Sequence, residues 1–349
     1  MIAQCLSAAQ KTVPENFSVH SMHCYFVLAG NAEIPIIYHV ERVREGKSFA
    51  TRTVQARQRG KPIFTTTMSF VRENSGGKLL VQHAADMPVD VPGPEDNREL
   101  DNGGGNSPFQ SQRIDILNND SPRAQDKKTR QWIKARGTIS DDGGYQAHLS
   151  ALAYMSDSYF VGTVARVHKL WRYSGSSRDK DGKKGKGWID ESVLQRLRDK
   201  DQETLNRMQG MDEDVIQQLR ESKDPLEDIA KRPEIGMMVS LDHTIYFHEP
   251  RTFRADEWLF TEMESPWAGD GRGLVTQRIY TRDGKLVATC VQEVCELLEY
   301  CRTDDANCDT GCCATETGTH EQAMSKISHV SPYRTMYKDI GSVGVSAIG

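Results

Sequence analysis

An acid, a hydroxyl and an amide suffice to hold a water molecule and take a proton from it, and Asp242, Ser265 and Gln292 offer one of each on three strands expected to be neighbours. The carboxylate would accept the proton while the hydroxyl and the amide orient the oxygen. Each residue also has a plain structural use: an aspartate bonded within a strand, a serine before proline in a turn, a glutamine solvated near a strand end. What singles out the three together is an internal comparison within the chain. A partly buried carboxylate is costly unless well partnered, so Asp242 inside an apolar meander needs a reason.

The stretch VSLDHTIYFHEP, residues 239 to 250, reads as a strand. Period-2 alternation places Val239, Leu241, His243, Ile245 and Phe247 on one face and Ser240, Asp242, Thr244, Tyr246 and His248 on the other. Asp242 and His243 are therefore separated as a catalytic pair unless a bulge intervenes, and His248 lies about 20 Å further along the strand. Both histidines read as packing or edge residues, since His20 and His23 occur in the corresponding first-copy strand without the aspartate.

The elements that position these residues come in two copies. Ile2, Leu6, Ala9 and Val13 repeat at helical spacing up to Pro14, and four period-2 segments follow, FSVHSMHCYFVLAG, IPIIYHVERVREG, SFATRTVQARQRG and PIFTTTMSFVREN. A shift of 224 positions lays GKPIFTTTMSF on GKLVATCVQEV and brings IIYHVERV over the strand that contains WLFTEMES, while SMHCYF matches DHTIYF at a slightly different offset. In this alignment Asp242 stands where the first copy has Ser21, Ser265 where it has Glu41, and Gln292 where it has Met68. Positions needed only for folding should agree between copies, so the polar trio marks the second copy as the one with chemistry.

The expected organisation is a first repeat over 1–74, a linker over 75–129 rich in Gly, Pro, Asp and Asn, a second repeat over 130–293 and a Cys-rich disordered tail over 294–349. The second repeat opens with the strand QWIKARGTIS and one helix from about 144 to 168, in which Leu149, Leu152, Ala153, Phe160 and Val164 share a face. A charged insertion, 172–234, interrupts it and begins with a mobile loop containing KDGKKGKG, a weak phosphate-patch candidate. The first repeat opens inside its helix, which reads as a truncation of its leading strand. A net charge of -5 argues against nucleic acid as a partner, and the lack of a long apolar run or a secretory start points to a soluble, intracellular protein without a membrane span. Cys301, Cys308, Cys312, Cys313, His320 and His329 lack paired C-x-x-C spacing, so no metal is assigned to them.

The ordered motifs VHSMHCYFVLAG, IIYHVERVREGKSFATRTVQARQRGKPIFTTTMSF, SLDHTIYFHEP, ESPWAGDGRGL and VATCVQE closely resemble the acyl-CoA thioesterase II family, over roughly residues 2 to 170 and 235 to 293. The resemblance implies an α+β double hotdog, in which two curved antiparallel sheets, each wrapped round a helix, join side by side. It implies hydrolysis of fatty acyl-CoA to free acid and CoA without a metal or other cofactor, with backbone N–H groups stabilising the oxyanion. The family's water-positioning Asp, Ser or Thr, and Gln fall on Asp242, Ser265 and Gln292. For the CoA phosphates it leaves Arg272, Arg57 and Arg59, with Gly271 allowing close backbone approach. Peroxisomal residence and assembly into a homo-oligomer follow from the same likeness, although the chain ends in Ala-Ile-Gly where peroxisomal relatives often carry a Ser-Lys-Leu-type signal; without such a signal the cytoplasm is expected. Two alternatives are a noncatalytic acyl-CoA-binding protein and a hotdog enoyl-CoA hydratase, the latter needing an Asp and a His in one pocket.

Overall fold

The computed structural model describes residues 1–76, 81–94, 107–170, 195, 199 and 234–299. The phosphate-patch candidate and the tail cysteines and histidines beyond 299 lie outside the described residues, as does nearly all of the charged insertion.

Helix α1, Ile2–Gln10, buries Ile2, Cys5, Leu6 and Ala9 on one face, as its spacing requires. Four strands follow: β1 Phe17–Phe26, β2 Ile37–Glu45, β3 Phe49–Gln58 and β4 Lys61–Arg72. After β5 Phe109–Leu117 and β6 Lys128–Ala135 come α2 Gly144–Ser156 and α3 Phe160–Val167, then β7 Glu234–Ser240, β8 Asp242–Phe247, β9 Leu259–Gly269, β10 Arg272–Thr281 and β11 Leu286–Glu299. The eleven strands of the described residues join one antiparallel sheet in the order β2-β3-β4-β1-β8-β11-β10-β9-β6-β5, with β7 beside β11. The order is symmetric about the β1–β8 seam, so β1, β2, β3 and β4 correspond to β8, β9, β10 and β11. This is the internal repeat, and the α+β hotdog architecture follows from it. The seam itself is antiparallel, pairing Tyr25 with Asp242 and His23 with Thr244.

Three expectations about local structure change. Strand β11 runs to Glu299, so residues 294–299, expected to open a disordered tail, are strand paired with β7. Residues 109–117 fall in the stretch read as linker, yet they form β5 and pair with β6 from Phe109↔Ala135 to Leu117↔Lys128. The segment FQSQRIDIL is polar and flanked by Gly, Asp and Asn, so composition concealed a strand whose stability comes from its neighbour. Residues 81–94 are also docked: the Trp132 indole donates to Pro92 O at 2.8 Å, and Met87 and Val91 cover the Trp132, Phe260 and Tyr280 cluster. The single helix expected over 144–168 breaks between Ser156 and Phe160. Ser158 turns its hydroxyl back onto the Tyr154 carbonyl, a local bond that competes with helix continuation, and Ser156 Oγ lies 3.2 Å from Ala153 O. Its expected face nevertheless stays buried through Leu149, Leu152, Ala153, Phe160 and Val164.

Helix α3 presses on the β9–β10 side of the sheet. A Cβ on Gly273 would meet Val164 Cγ2 at 2.6 Å, so this glycine admits the helix. Asp270 and Gly271, with φ of 51° and 68°, form the two-residue turn between β9 and β10. Turn geometry therefore accounts for Gly271.

Candidate active site

The site begins with a break in alternation. On β11, Val294 pairs with Ser240 of β7 and Val291 with Thr244 of β8, so residues 241 to 243 face only 292 and 293. One extra residue makes a β-bulge at Leu241–Asp242. Leu241 N–H donates to Glu293 O at 2.9 Å, but Glu293 N–H donates to Asp242 Oδ1 at 2.7 Å, so a carboxylate oxygen stands where a ladder carbonyl would. The other oxygen, Oδ2, has no hydrogen-bond partner among the described residues. Asp242 is half-buried, and that desolvation raises its pKa above the ordinary carboxylate value; the N–H of Glu293 opposes the rise.

The bulge also resets the strand faces. Strict alternation set Ser240 and His243 on opposite sides; in the fold both reach Gln292. Gln292 donates from Nε2 to Ser240 Oγ at 2.5 Å, and its Oε1 lies 2.7 Å from His243 Nδ1. His243 Nε2 in turn lies 3.0 Å from Ser156 Oγ. His243, Gln292 and Ser156 are fully buried, and burial holds the imidazole pKa below its ordinary value, in the neutral form. The expectation that His243 merely packs is thus incomplete. Both ring nitrogens are committed and neither bonds to Asp242, so the Asp–His pocket that a hydratase would need is not formed here.

A second bulge lies in the same lateral row. Thr276 pairs with Glu264 and Leu274 with Trp267, leaving Ser265 and Pro266 opposite Val275, which pairs with Gln292 on its other side. Proline fits there because the bulge leaves a position without a ladder bond. Ser265 is buried and its hydroxyl donates to Leu274 O at 3.0 Å. Its backbone runs two strands from that of Gln292, about 10 Å across the sheet, with Val275 between them. The structure thus aligns Asp242, Gln292 and Ser265 on one row while leaving each in its own hydrogen-bond set.

The bulges belong to the fold, because the first copy repeats them. In β1, His20 is the extra residue between Val19↔Phe70 and Ser21↔Ser69, and in β2 the register shifts again between Arg42 and Arg44. What differs is side-chain chemistry: Met22 pairs with Met68 where the second copy has His243 and Gln292. The offset that brings Ser21 onto Asp242 also brings Met22 onto His243, a signal present in the sequence.

Of the basic candidates, Arg272 lies near the site and Arg57 and Arg59 lie elsewhere. Arg272 donates to Glu293 Oε1 at 2.7 Å and lies over the Trp267 ring, close to the bulge. Arg57 donates to Gln55 on β3, three strands from β8, and Arg59 takes φ of 49° in the turn after it. His248 bonds Thr289 at 2.8 Å, away from Asp242. Burial raises the Cys5 and Cys24 thiols to about 12, and Cys290 further, so these three are poor nucleophiles at neutral pH. Among the described residues no cluster of acidic, cysteine or histidine groups is arranged to hold a metal, and no helix is long and apolar enough to cross a membrane.

Comparison with known proteins places this geometry in a family. Residues 88–295 match the model described as acyl-CoA thioesterase C-terminal domain, and residues 1–71 match the acyl-CoA thioesterase N-terminal domain. Acyl-coenzyme A thioesterase 8 of Homo sapiens is 33% identical over 315 residues, covering 84% of this chain and 77% of that protein. Peroxisomal acyl-coenzyme A thioester hydrolase 1 of Saccharomyces cerevisiae is 36% identical over 88 residues, 25% of each chain. The crystal structure of acyl-CoA thioesterase II TesB2 from Mycobacterium marinum superposes with a TM-score of 0.55 at 27% identity, covering 86% of this chain and 89% of that one.

Proposed function

We propose, given that the chain belongs to the acyl-CoA thioesterase family and hydrolyses acyl-CoA to free acid and CoA, that the attacking water is held by Asp242, Gln292 and Ser265. The observation that carries this reading is the lateral row on which two bulges flank Gln292 and turn Asp242 and Ser265 out of regular pairing. Asp242 Oδ2 takes a proton from the water as its oxygen attacks the thioester carbon. The carbonyl π bond opens to an oxyanion, and collapse of that intermediate breaks the C–S bond. The departing CoA thiolate then receives the proton from Asp242, which restores the carboxylate. Gln292 Nε2 keeps one hydrogen beyond the Ser240 bond with which to hold the water or the oxyanion. Ser265, whose own proton goes to Leu274 O, serves as an acceptor that turns the water.

Release of free thiol from a fatty acyl-CoA, followed with a thiol reagent, tests the assignment. Ser265→Ala is expected to lower kcat about 10- to 100-fold, the scale of lost orientation, with little change in melting temperature. An alanine variant as fast as the wild type would remove Ser265 from the mechanism.

Peroxisomal residence is part of the same reading, supported by the yeast relative's name. A tagged full chain should co-localise with a peroxisomal matrix marker in its source cells; uniform cytosolic signal would overturn it.

A further inference from the structure

Gln292 works as a hydrogen-bond donor only if its amide is kept the right way round. With Oε1 turned to His243, an acceptor faces the ring, so Nδ1 must carry the imidazole proton and donate it. Nε2 is then unprotonated and accepts from Ser156, whose one hydroxyl proton turns to the ring at 3.0 Å rather than to Ala153 O at 3.2 Å. Ser156 ends α2, and Phe160 at the start of α3 sets its ring edge-on to the imidazole, with centroids 5.5 Å apart and planes at 86°. Two helices thus lock one ring, and the ring locks one amide. The far end of the chain is Gln292 Nε2, delivered to Ser240 beside the Asp242 bulge.

We propose that His243 is a positioning residue, whose neutral Nδ1–H tautomer fixes the Gln292 amide so that its nitrogen faces the attacking water. The proposal rests on Gln292 taking part in hydrolysis as read above. Its strongest support is the internal control: the first repeat builds the same bulge with Met22 paired to Met68, both fully buried, so the fold does not require a polar pair at this place. Only the copy that carries Asp242 has one. The two polar residues also depend on each other, because either alone would leave a buried group without its partner.

The test compares kcat and KM for acyl-CoA hydrolysis in the full chain, with thermal unfolding measured alongside. His243→Asn retains an N–H close to the Nδ1 position, whereas His243→Gln carries its amide one bond further, at the Nε2 position. His243→Met copies the first repeat. The expected result is kcat about 100-fold lower for His243→Met and His243→Gln, with KM within about 2-fold, and at least tenfold recovery in His243→Asn. Equal kcat for the Asn and Gln variants overturns the proposal, and that pair decides the matter even if His243→Met does not fold. Wild-type kcat in His243→Met, with Gln292→Ala strongly impaired, overturns it as well. Should Gln292→Ala itself keep wild-type kcat, the role assigned to Gln292 fails first and the positioning role falls with it.

Discussion

Asp242→Asn is expected to lower kcat about 10³-fold, within the range set by removing a positioned general base, while the folded protein becomes no less stable. Asparagine keeps an Oδ1 to accept the Glu293 N–H and cannot take a proton from water. The stability half of the prediction follows from linkage. The folded-state pKa of Asp242 is raised by burial, so the folded chain binds this proton more tightly than the unfolded chain. Below the ordinary carboxylate pKa the group makes no difference to stability. As pH rises through the unfolded and then the folded value, the buried charge becomes a destabilising contribution that persists at neutral pH. Neutral asparagine lacks that contribution, so the melting temperature of the variant should equal or exceed that of the wild type. The same raised pKa shifts the acid limb of the wild-type kcat/KM profile upward from the ordinary carboxylate value. A variant retaining more than about a tenth of wild-type kcat, or an acid limb at an unshifted carboxylate value, would remove Asp242 as the base.

The repeat was legible because its signals are local. Alternating strands and the paired Gly60–Lys61 and Gly284–Lys285 turns mark equivalent hairpins, and the sheet order confirms the equivalence. Asp242 and Gln292 stood out for the same reason: each interrupts a pattern that the other copy keeps. The bulge is a different kind of object. It is a mismatch between residues 241–243 on one strand and 292–293 on another, and no window along one strand contains it. Alternation therefore assigned Ser240 and His243 to opposite faces, and the hydrogen-bonded chain through Gln292 stayed hidden. Strand β5 was missed for a related reason, since its polar residues acquire strand character by pairing with β6. The function read from the resemblance agrees with the family matches, while the roles of individual residues rest on geometry.

The first copy fills the corresponding row with different side chains. Opposite Met68 on β3 stands Arg52, fully buried, where the corresponding partner of Gln292 is Val275. Its guanidinium donates to Thr12 Oγ1 at 2.7 Å, Thr12 O at 2.9 Å, Arg44 O at 3.1 Å and Thr51 O at 3.0 Å, and it pairs with Glu45 at 2.6 Å. Thr12 lies just past α1, so a cation sits where the helix dipole and its last carbonyls favour one. Arg52→Met preserves length and apolar bulk but removes every donor, leaving buried carbonyls short of partners. Glu45 is half-exposed and can be rehydrated, which limits the loss from its side of the pair. The remaining charged hydrogen bonds set the expected cost at about 3 to 4 kcal/mol, a fall of about 10 °C in melting temperature. Because β3 is three strands from β8, kcat measured well below the transition should stay within about 2-fold of wild type. A melting temperature within about 2 °C of wild type would show that Arg52 does not secure α1, and a selective loss of kcat would make this row part of the reaction after all.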